Sequence, residues 1–188
     1  HRTSRRQRQM CIRDRIKGAD VIIWTTTPWT IPANKALAYN ASLKYVLLEI
    51  NDNKNFVNRK IVIAKDLLEP FKKDTSIENI KVLNEFLGKD LNGTICSHPF
   101  SKMEYNYDIP MLEANFVTTE QGTGIVHCAP SHGPDDFNLC LNNNIKAIET
   151  VDGDGKYTSE IKLFEGLHIF KANNLIIEKL DEQKNLVT

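Results

Sequence analysis

Apolar residues fall in short runs along this chain, broken by polar stretches and by Gly or Pro. Residues 20–24 (DVIIW), 44–50 (KYVLLEI) and 60–65 (KIVIAK) read as strands, the last two separated by a turn-forming stretch, NDNKN, at 51–55. Residues 64–71 (AKDLLEPF) read as a short helix stopped near Pro70. Residues 81–88 predict a strand ending at Gly88, and 93–100 and 114–130 supply further β-like runs. DGDGKYT at 152–158 has the composition of a hairpin turn. Residues 171–183 place Ala172, Leu175, Ile176 and Leu180 on one helical face, which predicts a helix. Many short strands with a few helices between them define an α+β, β-rich domain, expected to be barrel-like with peripheral helices.

Length and composition fit one globular domain. The chain has 188 residues, 41% hydrophobic and 26% charged, enough to bury a sizeable core. No apolar run approaches the roughly 18–20 residues that cross a bilayer, so no membrane association is expected. The four cysteines, at 11, 96, 128 and 140, form no CxxC pair. They match neither a disulfide framework nor a structural zinc site, which points to a reducing, cytoplasmic setting. The formal net charge of zero divides unevenly: residues 1–15 hold six of the seven arginines against one aspartate, a net +5, and the rest carries −5. Residues 1–15 therefore read as a non-native or disordered basic tail, with a nucleic-acid-binding arm as the other reading, and residues 16–188 as the domain proper. The acidic body lacks the basic face of a stand-alone nucleic-acid binder.

Two segments carry candidate chemistry. The first is WTTTPWTIPAN at 24–34, where Pro28 and Pro32 forbid a continuous helix or central strand. Its threonines Thr25, Thr26 and Thr27 present stiff hydroxyls that can hold a water, a ribose or a carboxyl oxygen. They equally suit a strand end with an ST-turn. The second segment is GTGIVHCAPSHGPDDF at 122–137. Gly122 and Gly124 permit a bend or a close backbone approach. Pro134 suits a first helical position, with Asp135 and Asp136 in the first turn, where the helix dipole favours carboxylates. An ionised carboxylate there can hold an ammonium group; for Asp135, plain helix stabilisation accounts for its position. His127 taken alone equally fits a satisfied core site. His127, Cys128, His132, Asp135 and Asp136 as ligands of a water-activating metal form a rival reading, but their spacing matches no common zinc signature. Residues 152–163 fail as a calcium loop at Lys156, Tyr157 and Leu163, and GTG at 122–124 is not a P-loop.

Together, WTTTPWTIPAN and, about ninety residues later, GTGIVHCAPSHGPDD resemble the editing (CP1) domain inserted into bacterial-type isoleucyl-tRNA synthetases. The likeness extends over residues 17–188, including GLHIFKANNLIIEKL near the end. Related valyl and leucyl enzymes typically carry an Arg in the threonine loop and lack a histidine at the position of His127. The resemblance implies hydrolytic, post-transfer editing of valyl-tRNA(Ile), with water as the nucleophile and neither metal nor other cofactor. By the same resemblance, Asp136 binds the α-ammonium, Thr27 with Thr25 and Thr26 lines the ester and the water, and His127 excludes isoleucine by fit. Trp29 walls the pocket, and Asn34 contacts substrate or holds the loop. The implied partners are the tRNA 3′ end carrying valine and the remainder of the synthetase, with the protein a monomer. Neither the HIGH-type nor the KMSKS-type signature is present, so no aminoacylation is expected of this chain. A metal-dependent hydrolase and a non-catalytic tRNA-docking module are the competing functions.

Overall fold

Two of the apolar runs become adjacent central strands in a computed structural model that describes residues 16–51 and 57–188. The named strands are β1 (Asp20–Val21), β2 (Ala36–Tyr39), β3 (Lys44–Ile50), β4 (Arg59–Ala64), β5 (Ile80–Leu87), β6 (Ile95–Ser97), β7 (Asp108–Glu113) and β8 (Ile125–Cys128). The helices are α1 (Leu68–Thr75), α2 (Pro134–Asn142) and α3 (Ile169–Glu182), with short 3-10 turns such as Pro28–Ala33. One sheet has the order β1-β4-β3-β5 and the other β6-β7-β2-β8. Pairing is antiparallel except for β1 with β4 and β2 with β7.

β3 and β4 carry unbroken apolar runs, Tyr45 to Leu48 and Ile61 to Ala64, because both of their faces are covered there. Tyr45, Leu47, Val62 and Ala64 point into a core shared with Leu37, Tyr39, Met111 and Ile125 of the second sheet. The alternate residues Val46, Leu48, Ile61 and Ile63 pack against Phe71 of α1 and against Ile77. The domain is thus α+β and β-rich as expected. Its barrel-like character takes the form of two four-stranded sheets sharing one core, without a closed barrel among the described residues.

The segment before β8 locks the sheets together. Ala64 N–H donates to Thr123 O at 2.8 Å, and Tyr45 Oη donates to Gly124 O at 2.7 Å. Thr123 Oγ1 donates to Ile22 O at 2.6 Å. Gly124 has φ +72°, and a Cβ there would sit 2.3 Å from Ala64 Cβ. A third core lies under α3, where Ala172, Ile176 and Leu180 meet Ile31, Ala33, Tyr157 and Phe164. The predicted helical face is therefore the buried one, and it supports the 3-10 turn of the threonine segment.

Several elements differ from the sequence reading. The strand expected at 20–24 is regular only at Asp20–Val21. Pro70 lies in the first turn of α1, which continues to Thr75, because a first-turn residue needs no intrahelical N–H. Pro70 therefore opens a helix it was expected to end. β2 and β7 escape the pattern, β2 as four buried residues and β7 because it contains Pro110. Pro110 is tolerated opposite Ile95 of β6, while pairing with β2 begins only at Met111. The turn at 152–158 is present, with Asp152 Oδ1 accepting from the N–H groups of Asp154 (3.0 Å) and Lys156 (2.9 Å). Of the turn expected at 51–55, residues 52–55 lie outside the described residues, as does the basic tail at 1–15.

Gly124→Ala should destabilise the domain by about 2 kcal/mol or more, from overpacking and a left-handed backbone. Gly153→Ala, where an added Cβ meets nothing within 4 Å, should be nearly neutral. Denaturant unfolding of the two variants side by side checks the contrast, and equal stability would mean that the sheets do not depend on this contact.

Candidate active site

The threonine segment is ordered by its own backbone. Pro28 begins the 3-10 turn, whose Thr27 carbonyl accepts from Thr30 N–H at 3.0 Å and from Thr30 Oγ1 at 2.9 Å. Thr27 N–H donates to Thr25 Oγ1 at 3.1 Å, and the two hydroxyl oxygens lie 3.2 Å apart. The ST-turn and the display of hydroxyls are thus one arrangement, with Thr26 and Thr27 exposed and Thr25 half-buried. The turn is pinned from two sides. Asn173 Oδ1 on α3 accepts from Trp29 N–H at 3.0 Å, and Trp29 O accepts from Tyr157 Oη at 2.6 Å. His98 hydrogen-bonds Ile31 O through Nε2 at 3.1 Å and accepts from Phe100 N–H at Nδ1, 3.1 Å.

β8 delivers His127 to the same place. Its register against β2 pairs His127 with Leu37, and Cys128 O accepts from Lys35 N–H at 2.9 Å. His127 Nε2 then lies 3.2 Å from Thr30 Oγ1, a buried hydrogen bond between residues 97 positions apart. Its Nδ1 is buried without a partner, and so is Asn34 Oδ1. Burial, with some help from His132, lowers the His127 pKa to about 4, so the ring is neutral at pH 7.

After β8 the chain turns into α2, whose register faces Asp136 inward and leaves Asp135 exposed. Asp136 Oδ2 accepts from Ala129 N–H at 2.8 Å, fixing the carboxylate two residues beyond His127. Burial raises the Asp136 pKa above its ordinary value, opposed by that N–H. His132 turns to Thr150 Oγ1 at 2.7 Å and sets its ring edge-on to Trp29 with centroids 4.8 Å apart. Burial pushes up the thiol pKa values of Cys96, Cys128 and Cys140, which keeps these groups protonated and poorly nucleophilic. Among the described residues no three His, Cys, Asp or Glu side chains are gathered as metal ligands would be.

A cavity of about 1500 Å³ has Thr25, Pro28, Asn34, Thr123 and His127 on its lining, with Trp24 among them. Thr25, Asn34 and His127, three residues singled out from sequence, therefore line the same cavity. Thr26, Thr27, Trp29 and Asp136 do not line it. Thr27 and Asp136 connect to it through Thr30–His127 and Ala129 respectively. The sequence reading missed the parts played by Thr30, His98 and Asn173. Thr30 carried a signal, being the hydroxyl residue three positions after Thr27 in a Pro-started turn; His98 and Asn173 carried none.

The family described as "Leucyl-tRNA synthetase, editing domain" matches residues 17–180, and the chain belongs to it. The curated relatives that the chain matches include two isoleucine--tRNA ligases. It is 67% identical over 173 residues to the Isoleucine--tRNA ligase of Pelagibacter ubique, covering 92% of this chain and 19% of that protein. It is 43% identical over 173 residues to that of Gluconobacter oxydans, covering 90% and 18%. The chain thus spans about a fifth of the length of these relatives. Its fold is also that of the cytosolic leucyl-tRNA synthetase editing domain of P. falciparum, with TM-score 0.65, 15% identity, and 90% and 80% of the two chains covered.

The buried histidines make stability pH-dependent. His98 and His127, both with folded pKa near 4, take up protons more readily when unfolded, where the usual value is 6.5. Their contribution is therefore complete above about pH 6.5 and is lost as pH falls toward 4. Between pH 7 and pH 5 the loss should be about 2 kcal/mol per histidine. Denaturant melts at the two pH values measure it, and equal stability would contradict neutral, buried rings.

Proposed function

We propose that this chain hydrolyses the ester joining valine to the terminal adenosine of isoleucine tRNA. The observation that carries the reading is the Thr30–His127 hydrogen bond, which joins the two motif segments at one groove within an editing-domain fold. The physical need is a second selection step. Valine and isoleucine differ by one methylene, worth only about 1–3 kcal/mol in a hydrophobic pocket, and this amino-acid pair is itself the standard example of that limit.

The residues divide the work. Asp136, oriented by Ala129 N–H, pairs with the substrate ammonium, whose charge offsets the burial that raises its pKa. The hydroxyls of Thr25, Thr26 and Thr27 orient the ester and a water molecule. Water oxygen attacks the ester carbonyl carbon, the bond to the ribose oxygen breaks, and valine and uncharged tRNA leave. An aminoacyl ester is reactive enough for positioning to supply much of the acceleration, so the reaction needs no metal. Neutral His127 excludes the larger side chain without adding a charge that would repel the ammonium, and Asn34 contacts the substrate, while Trp29, outside the cavity lining, holds the threonine turn through Asn173 and Tyr157.

Residues 16–188 form the catalytic domain, acting as a monomer on the tRNA 3′ end alongside the remainder of the synthetase in the cytoplasm, with no aminoacylation of its own. The basic stretch at 1–15 contributes nothing to this chemistry. No helix among the described residues is long and apolar enough to cross a membrane.

The test is deacylation of valyl- and isoleucyl-tRNA(Ile) by the wild type, Asp136→Ala and His127→Ala, with and without chelator. Asp136→Ala should lose at least tenfold on valyl-tRNA, since a charge-assisted contact contributes about 1.5–3 kcal/mol. His127→Ala should narrow the preference for valine. A wild-type rate for Asp136→Ala overturns the anchor, and loss of activity in chelator overturns metal independence. Binding of charged tRNA without deacylation by the wild type would instead identify a docking module.

A further inference from the structure

His127 presents a tautomer question that its neighbours answer. Thr30 Oγ1 lies 2.9 Å from Thr27 O and 3.2 Å from His127 Nε2. A hydroxyl has one hydrogen to give, and here it goes to the carbonyl, which can only accept. The contact with the ring must then run the other way, with Nε2–H donating to the Thr30 oxygen. Nδ1 is left as a bare lone pair, buried and without a partner in the chain. The opposite tautomer would bury an orphan N–H at Nδ1, and unpaired buried N–H donors are rarer than under-used acceptors.

We propose that Thr30 is a positioning residue that fixes His127 as its Nε2–H tautomer, so that Nδ1 stands as an acceptor for the water that attacks the ester. This rests on the editing reading above, in which Asp136 engages the ammonium and the threonine hydroxyls hold the water on one side, leaving a water hydrogen to be accepted on the other. The low basicity of the buried ring suits the part: it orients the water's O–H without capturing its proton. Asn34 Oδ1, a second buried acceptor without a partner on the same groove, can receive the water's other hydrogen. Thr30 is thus separated in function from the residues that choose the amino acid. Its loss should slow hydrolysis of valyl- and isoleucyl-tRNA by the same factor, whereas His127 itself bears on the preference.

The experiment combines a spectroscopic and a kinetic readout on the full chain. Ring-¹⁵N NMR of the wild type should show His127 as the neutral Nε2–H form at pH 7. Thr30→Val, nearly isosteric, should mix the tautomers and lower kcat roughly three- to tenfold on both substrates with the valine preference unchanged. Thr30→Ser, which keeps the hydroxyl, should restore both the spectrum and the rate. An Nδ1–H or doubly protonated ring in the wild type overturns the proposal. So does a Thr30→Val protein that is folded by its amide spectrum yet unchanged in tautomer and rate, or a Thr30→Ser protein that is folded yet no better than Thr30→Val. A wild type with the Nε2–H spectrum but no deacylation would overturn the editing reading instead.

Discussion

The two sheets meet where Gly124 lies against Ala64, and that approach is possible only because position 124 has no side chain. The same few residues contribute three hydrogen bonds between otherwise separate parts of the chain, from Ala64, from Tyr45 and to Ile22. β8 begins directly after this junction, so its path is set by the sheet contact. Its third residue, His127, consequently arrives beneath Thr30. The site is built on the seam between the sheets, with rigid strand on one side and a Pro-stiffened turn on the other.

The electrostatics of the seam follow from burial. Both His98 and His127 are neutral, one satisfied at both ring nitrogens by the backbone and one at a single nitrogen. The first steadies the threonine turn through Ile31, and the second leaves its Nδ1 without a partner in the chain. Asp136 carries the site's negative charge at the start of α2, where the backbone N–H of Ala129 and the helix dipole favour its ionised form against desolvation. On the editing reading proposed above, a neutral imidazole beside one anchored carboxylate would hold a positively charged amino acid ester in preference to a neutral one.

Legibility in the sequence followed the range of the interactions. β3 and β4 were readable because burial on both faces leaves an unbroken apolar run, and α3 because its buried face repeats at helical spacing. β2 was not, since four residues of ALAY carry no period, and β7 was hidden by Pro110, whose missing N–H matters only if β2 pairs there. Thr25 to Thr27, His127 and Asp136 stood out as motifs because their chemistry is local to a loop and a helix start. Asn173, by contrast, supports Trp29 across 144 positions, and His98 supports Ile31 across 67. Neither partner could be named before the chain was folded.

On the editing reading proposed above, the threonine turn and the His127–Asp136 segment act on one substrate. A crystal structure of the chain with a non-hydrolysable valyl-adenosine analogue, its ester replaced by an amide, tests this most directly. The ammonium is expected against Asp136, the amide carbonyl beside Thr25 to Thr27, and the valine side chain facing His127. An analogue seated elsewhere, or one touching the threonines with its ammonium turned away from Asp136, would contradict it.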